Sequence, residues 1–495
     1  YGVASFYDLF QLQEPEEGPL HHVCVDPVCA MGGSASYIEE LRSNGDRVHE
    51  SPCLGQCERP PGIFVQIKGD SNQDLTATTN IEPQFNSSSS NRLLRRFGTN
   101  EPVNLNSYKE HGGYQALGTA IELGGARVIE MLVESGLTGR GGAAFPTGIK
   151  WQSVADHLSA PKYVVANADE SEPGTFKDRM ILENDPFALI EAMTIAGLST
   201  GCEKGWIYIR GEYATAAQRL SEAIAEAYSA QLLGNRIQGT SLTFDLEIRQ
   251  GAGAYICGEE TSLFNSIEGF RGEPRSKPPY PTDKGLFGRP TIVNNPETFL
   301  NVIEILNNGV DYYQSAGTPA SPGTKLFCLS GDIARPGLYE AGFGIRLREL
   351  LSDAGGVDGD LQAILLGGAA GCFVGPEQLD LPLTFEDTKA NDLTLGSGAV
   401  MVFSTKVNVP DVLGRLAEFF RNESCGQCVP CRIGTVRQHE VLLQIGADKA
   451  NKDQLSLLHD IDTVMTDASI CGLGQTAASA VRSAITLGLL GETRS

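Results

Sequence analysis

Residues 162–210, KYVVANADESEPGTFKDRMILENDPFALIEAMTIAGLSTGCEKGWIYIR, switch between two periodicities. KYVVANA reads as a strand, DPFALIEAMTIAGLST as a helix and GWIYIR as a second strand. Asp185 is expected as the helix N-cap, with Pro186 at the first helical position. The following ATAAQRLSEAIAEAY has helical spacing in Leu220, Ala223, Ile224 and Ala227. Leu242, Phe244, Leu246 and Ile248 then alternate as a strand. From about Gly136 to Leu306 this β-α-β-α order predicts a mostly parallel sheet covered by helices.

Outward from this region the pattern changes. Residues 325–405 are Gly-rich, with short strands (KLFCLSG, AVMVF) and one helix near IRLRELLSDAGG, which predicts a small α+β domain. From Val412 onward LGRLAEFF, QLSLLHDIDTVMTD and TAASAVRSAITLGLL each carry an apolar stripe, so this end is helical. Toward the start, LHHVCV, SASYIEELRSN and PGIFVQIKG predict strand, helix and strand in a small α/β module. PQFNSSSSNRLLRRF, residues 83–97, reads as a linker. The opening YGVASFYDLF reads like the middle of a domain, so residues before Tyr1 are expected.

The 495 residues are enough for three or four domains. No apolar run approaches the 18 residues of a membrane span, so no direct membrane insertion is expected. With 38 basic and 61 acidic residues the formal charge is −23, which repels nucleic acid and anionic lipid. No secretory signal is visible.

Eight of the 12 cysteines fall in two groups. Cys425, Cys428 and Cys431 form C-x2-C-x2-C in ESCGQCVPCR, and Cys471 in SICGLG supplies a distant fourth thiolate. Four thiolates can hold an iron–sulfur cluster. The rival is a zinc site, which more often uses two separate C-x2-C knuckles. Cys24 and Cys29 form C-x4-C, and Cys53 and Cys57 form C-x3-C. Two pairs on two loops suit a [2Fe–2S] centre; core or disulfide cysteines are the alternative. His21 and His22 read as solvent-facing or packing residues rather than ligands. Cys202, Cys257, Cys328 and Cys372 stand alone and read as buried apolar residues.

GLTGRGGAAFPTGIKW, residues 136–151, sets Gly139, Gly141 and Gly142 around Arg140, with Lys150 close behind. Glycines let backbone N–H groups approach a phosphate, and Arg and Lys add charge. A tight loop with surface charges would look the same. NADESEPGTFKDR puts Asp169, Glu170 and Glu172 at the carboxyl end of a strand, where α/β proteins bind ligands. GAGAYICGEET repeats the arrangement with Glu259 and Glu260, and IVNNPET adds Asn294, Asn295 and Thr298.

GRGGAAFPTGIKW, NADESEPGTFKDR, AYICGEET, KPPYP, VNNPET and ESCGQCVPCR together resemble the NADH-binding FMN subunit of respiratory complex I. The same module is the diaphorase subunit of NAD-reducing [NiFe] hydrogenases and of NAD-dependent molybdenum or tungsten formate dehydrogenases. The resemblance runs from about residue 110 to 490. Residues 1 to about 70 resemble the thioredoxin-like [2Fe–2S] ferredoxin that complex I carries as a separate chain.

The resemblance implies a multidomain α/β and α protein. Residues 1–75 would be the thioredoxin-like domain, without its start, and 76–110 a linker. Residues 111–320 would be a Rossmann-like FMN- and NAD(H)-binding domain, 325–405 a ubiquitin-like domain, and 408–490 a helical bundle with a [4Fe–4S] cluster. Gly139, Arg140, Gly141, Gly142 and Lys150 match the FMN phosphate loop. Asn167, Asp169, Val293, Asn294, Asn295 and Thr298 match flavin-contacting positions. Glu170, Glu172, Tyr255, Gly258, Glu259 and Glu260 match positions around flavin and nicotinamide nucleotide, and Phe145 and Tyr280 the stacking rings. Cys425, Cys428, Cys431 and Cys471 match the [4Fe–4S] ligands, and Cys24, Cys29, Cys53 and Cys57 the [2Fe–2S] ligands. Thr138 and Ala144 replace the family's common Arg and Gly, and Tyr280 stands where Phe is usual.

The implied protein is a cytoplasmic oxidoreductase subunit passing electrons between NAD(H) and iron–sulfur clusters through FMN, with no acid–base residue of its own. Its partners would be an iron–sulfur relay subunit and a molybdenum, tungsten or nickel–iron catalytic subunit. The fused ferredoxin-like module favours a soluble formate dehydrogenase, with an NAD-reducing hydrogenase or complex I as alternatives. A non-catalytic zinc-bound assembly protein is the rival from another class.

Overall fold

The computed structural model describes residues 1–10, 12, 18–67, 85–86, 91–98, 103–447 and 450–490. Three sheets and a helical end organise them. The first sheet has the order β2-β1-β3, from β1 (Leu20–Cys24), β2 (Arg47–Ser51) and β3 (Ile63–Gln66). β2 runs parallel to β1, and β3 antiparallel. The helix Ser34–Ser43 lays Ile38 and Leu41 on Val23. RVHES carries no strand signal of its own. β2 is an edge strand with a mostly half-buried surface, so it shows no apolar alternation.

The central sheet is built from β4 (Tyr163–Ala168), β5 (Lys204–Ile209), β6 (Gly234–Asn235), β7 (Thr243–Gln250) and β8 (Thr291–Asn294). Its order is β6-β7-β5-β4-β8, parallel throughout except for the short β6. The helix Pro186–Thr200 is apolar around nearly its whole circumference and is buried accordingly. Pro186 takes the first position as expected, but the Asp185 side chain makes no cap hydrogen bond. Arg96 draws its carboxylate away, with Nε donating to Oδ2 at 2.8 Å.

That arginine lies in the stretch read as linker. Leu93, Leu94 and Phe97 are buried there. The Glu340 carboxylate accepts from the backbone N–H groups of Arg92, Leu93 and Leu94 at 2.9–3.1 Å. Residues 105–110 form a helix. This part of 76–110 is therefore docked chain, because its leucines and phenylalanine find a core. Residues 76–84, 87–90 and 99–102 of that stretch lie outside the described residues.

The third sheet comprises β9 (Thr324–Gly331), β10 (Gly337–Gly342), β11 (Leu361–Leu366), β12 (Cys372–Val374) and β13 (Ala399–Ser404), in the order β10-β9-β13-β11-β12. Only β9 and β13 are parallel. Phe327, Leu329, Leu347, Leu366 and Val400 belong to its own core. The helices Val409–Glu423, Val429–Ala447, Lys452–Ala468 and Ser479–Thr486 follow. Among the described residues no helix is long and apolar enough to cross a membrane. The lone Cys202, Cys257, Cys328 and Cys372 are all buried.

Candidate functional site

The carboxyl ends of the central strands open into a cavity of about 430 Å³. Asn167 at the end of β4, with Asp169, Glu170 and Glu172 after it, forms one wall. Tyr255, Gly258 and Glu259 after β7, and Asn295 after β8, form another. The loop backbone at Gly141 and Gly142 closes a third side. A Cβ on Gly141 would stand 3.2 Å from Asn295 Cβ, so a side chain there would crowd the wall.

Local hydrogen bonds hold these groups in place. Asn167 Nδ2 donates to Gly258 O at 2.8 Å and ties two strand-end loops together. Asn295 caps the helix Pro296–Asn308. It also accepts from Lys177 Nζ at 2.9 Å and donates to Asp178 Oδ2 at 2.6 Å. Glu170 accepts from the backbone N–H groups of Asp178 and Arg179, both at 3.0 Å. Burial raises its carboxyl to about 8 and that of Glu172 to about 7, and raises Asp169 well above the usual range. Asp169 and Ser171 line this cavity with buried side-chain oxygens within reach of each other. They suit a bound polar ligand.

Other residues expected at the site sit elsewhere. The Arg140 guanidinium is fully buried and turned into the protein. It donates to Tyr313 Oη at 2.8 Å and Pro322 O at 2.9 Å and lies over the Phe343 ring. Its backbone N–H donates to Thr298 Oγ1 at 2.9 Å. Thr298 and Asn294 are buried behind the wall; Asn294 Oδ1 accepts from Trp151 Nε1 at 2.9 Å. Gly139 N–H bonds Phe145 O at 2.9 Å and closes the turn. Ala144, where glycine is usual in the resembled family, has φ 50. Lys150 Nζ donates to Val293 O at 2.9 Å, and burial lowers its pKa.

From Glu259 at the cavity wall a charged and aromatic surface extends outward. Lys277 pairs with Glu259 at 2.8 Å and with Glu260 at 2.7 Å. Burial opposes ionisation of Glu259, yet its bonds to Lys277 and Thr261 hold it below the ordinary range. Phe145 and Tyr280 expose 51% and 56% of their surface, and the Lys150 ammonium lies 5.8 Å from the centre of the Phe145 ring.

Part of the lining has no signal in the sequence. Gly367 and Ala370 come from the loop between β11 and β12 and Ser397 from the loop before β13, and Gly472, Leu473 and Thr476 follow on Cys471. The Glu172 carboxylate binds across this seam, accepting from Ala370 N–H at 2.9 Å and Ser397 Oγ at 3.3 Å. No local pattern announces such a contact between residues about 200 positions apart. Asp178 also lines the cavity, and nothing in the spacing of NADESEPGTFKDR distinguishes it from its charged neighbours.

Cys425 lies just after the helix Val409–Glu423, Cys428 and Cys431 at the start of Val429–Ala447, and Cys471 before Gly472–Thr476. None is in a disulfide. Burial pushes the Cys431 thiol up to about 12 and Cys471 to about 11. A single zinc ion with Zn–S near ~2.3 Å needs its sulfurs roughly 3.8 Å apart. Among the described residues no three of these thiols come within 4.8 Å of one another. The spacing suits a multi-iron cluster better than one ion. Cys24, Cys29, Cys53 and Cys57 are also buried and free. Cys53 and Cys57 sulfurs lie 3.8 Å apart, and Gly55 and Gly62 N–H groups donate to Cys53 and Cys29 at 3.4 and 3.3 Å.

Comparison with known proteins agrees with this geometry. Residues 132–304 match the Nuo51 FMN-binding domain, and residues 411–487 match the NADH-ubiquinone oxidoreductase-F iron-sulfur binding region. The chain is 41% identical over 392 residues to HndC, a subunit of the NADP-reducing hydrogenase of Solidesulfovibrio fructosivorans, covering 79% of this chain and 80% of that one. It is 42% identical over 397 residues to the F 2 subunit of NADH-quinone oxidoreductase in Rhizobium meliloti (strain 1021), covering 79% and 94%. A crystal structure of NAD+-reducing [NiFe]-hydrogenase in the H2-reduced state contains a chain that superposes with TM-score 0.85 at 31% identity. That match covers 99% of this chain and 87% of the other. The chain therefore belongs to the family of NADH-quinone oxidoreductase F subunits and hydrogenase diaphorase subunits, and is an NAD(H)-dependent flavin and iron–sulfur oxidoreductase subunit.

Proposed function

We propose that this chain exchanges electrons with NAD(H) inside a soluble NAD-dependent formate dehydrogenase of the cytoplasm. FMN would sit in the cavity, a [4Fe–4S] cluster on Cys425, Cys428, Cys431 and Cys471, and a [2Fe–2S] cluster on Cys24, Cys29, Cys53 and Cys57. One observation carries the reading: the glycine loop at 141–142 and the residues after Cys471 line the same cavity. A bound flavin supplies the exchange between a two-electron hydride and one-electron iron.

The chain's own residues bind and orient. The backbone at Gly141 and Gly142 offers a close approach for phosphate. Asn167 and Asn295 fix the wall, and Asp169 and Ser171 bring buried oxygens to a polar ligand edge. Glu259, Glu260 and Lys277 bind and orient the nucleotide, with the exposed Phe145 and Tyr280 rings for stacking. No side chain has to take or give a proton for the hydride itself. Val429, Ile433 and Val436 form an exposed stripe at i, i+4 and i+7, and Ile470 is exposed beside Cys471. That apolar rim around the cysteines fits a docked relay subunit.

A second reading, the diaphorase subunit of an NAD-reducing hydrogenase, is favoured by the likeness to a hydrogenase chain across 99% of this one, including the N-terminal module. The protein purified from its native source should show a flavin absorbance band and about six irons with matching sulfide. A colourless, zinc-loaded protein would overturn the flavin reading. Co-purification of a molybdenum or tungsten subunit supports formate; that of a nickel subunit supports hydrogen and sinks the first reading.

A further inference from the structure

Asp8, His22 and His49 bring one carboxylate and two imidazoles together on the first sheet, away from the cavity. Their ligand atoms all lie within 4.8 Å of one another. His49 Nε2 is 3.1 Å from Asp8 Oδ1, and the two imidazole centroids are 5.0 Å apart. His22 and His49 are register partners on the parallel strands β1 and β2, so the backbone itself sets them side by side. Asp8 is held by backbone bonds from Asp8 N–H to Gly253 O at 3.1 Å and from Leu9 N–H to Ala252 O at 3.0 Å.

The decisive residue is His22. Only 1% of it is exposed, and with the Gln66 side chain as its hydrogen-bonding neighbour at least one ring nitrogen is left without a partner. An edge-to-face imidazole pair with an Asp8–His49 ion pair is the metal-free account. It leaves at least one buried ring nitrogen of His22 desolvated without compensation. Coordination would satisfy it. The Asp8 and His49 side chains are 31% and 40% exposed, so an ion and a water ligand can reach them from solvent.

The geometry points to a metal-binding function separate from both cysteine quartets: a zinc-type divalent cation site formed by Asp8, His22 and His49. Two imidazoles and a carboxylate suit borderline ions, with an open position left for water. The ion would staple the N-terminal segment to β1 and β2. Through Asp8 and Leu9 it would also brace residues 252–253, just ahead of Tyr255 at the cavity.

The test uses the full chain with its flavin and clusters in place and Zn²⁺ as the probe. One zinc per chain should survive gel filtration. Its X-ray absorption edge should show nitrogen and oxygen scatterers at about 2.0–2.1 Å with imidazole features. Asp8→Asn and His49→Gln alter partly exposed side chains, and unchanged flavin and iron content would verify their fold. Each should weaken zinc binding at least about tenfold. His21→Gln, on the opposite face of β1, should leave it unchanged. Sulfur scattering near ~2.3 Å, or full zinc retention in folded His49→Gln, would overturn the site. So would failure of the unaltered chain to hold zinc.

Discussion

Arg140 shows how a residue can fit a motif and yet act elsewhere. Its charge is buried against Tyr313, Pro322 and Phe343, so its side chain braces the glycine loop from behind. Arg140→Ala removes the buried donor to Tyr313 Oη and Pro322 O, leaving them only their 3.2 Å bond to each other, and opens a cavity under the Phe343 ring. It should cost about 3 kcal/mol in urea unfolding, while the folded fraction keeps its KM for NADH within about twofold. A large KM change with unaltered stability would put the guanidinium at the ligand instead. Glu259 does two jobs. It caps the helix Glu260–Ile267 through Thr261 and Ser262 N–H, both at 2.9 Å, and it pairs with Lys277. Glu259→Ala should lose about 1 kcal/mol of stability and raise the KM for NADH roughly tenfold, with flavin content unchanged. Glu259→Ser should restore the cap but not the KM. If Ser recovers both, the carboxylate has no part in nucleotide binding.

Elements met their expected types where apolar periodicity was strong. KYVVANA, GWIYIR and the helix from Pro186 became β4, β5 and Pro186–Thr200. β2 escaped because RVHES is an edge strand without a buried face. The turn after β11 was equally unreadable in function. Gly368 has φ +85, and a Cβ on it would stand 2.6 Å from the Glu172 carboxyl carbon. Gly368→Ala should therefore push Glu172 off Ala370 N–H and open the seam between the two sheets. The measurable result is a lower flavin-to-protein ratio after dialysis, with the circular dichroism of the fold retained. Full flavin retention would mean the seam does not matter to the cavity.

At the scale of the molecule, separate parts converge on one cavity. Tyr255 N–H donates to Glu423 Oε2 at 2.8 Å, and Arg415 donates to Val25 O at 2.7 Å, so the helical end ties to both the central sheet and the first sheet. Arg210 donates to both Cys53 O and Glu170 O, joining the N-terminal cysteine loop to the cavity wall. This convergence buries carboxyls. Glu170 and Glu172 are raised from 4.5 to about 8 and about 7. Between about 4.5 and 8 the folded chain thus holds more protons on them than the unfolded chain. Their stabilising contribution is complete below pH 4.5 and is lost as pH rises through 7 to 8. Flavin-free protein should unfold at lower urea at pH 8 than at pH 5.5, by on the order of a few kcal/mol. Glu172→Gln should flatten that slope, and an unchanged slope would show that Glu172 ionises normally.

The sequence by itself determined the strand–helix order, the parallel core and the two cysteine quartets. Those depend on periodicity and on spacing over a few residues, which local chain geometry enforces. It also carried the strand-end motifs, whose Asn167, Asp169, Glu170, Glu172 and Asn295 reach the cavity. Only the tertiary structure decided that Arg140 turns inward, that residues 91–98 dock, and that Gly367, Ala370, Ser397 and Gly472 complete the wall. Those outcomes follow from burial and hydrogen-bond satisfaction between residues far apart in the chain, and such pairings leave no local pattern to read.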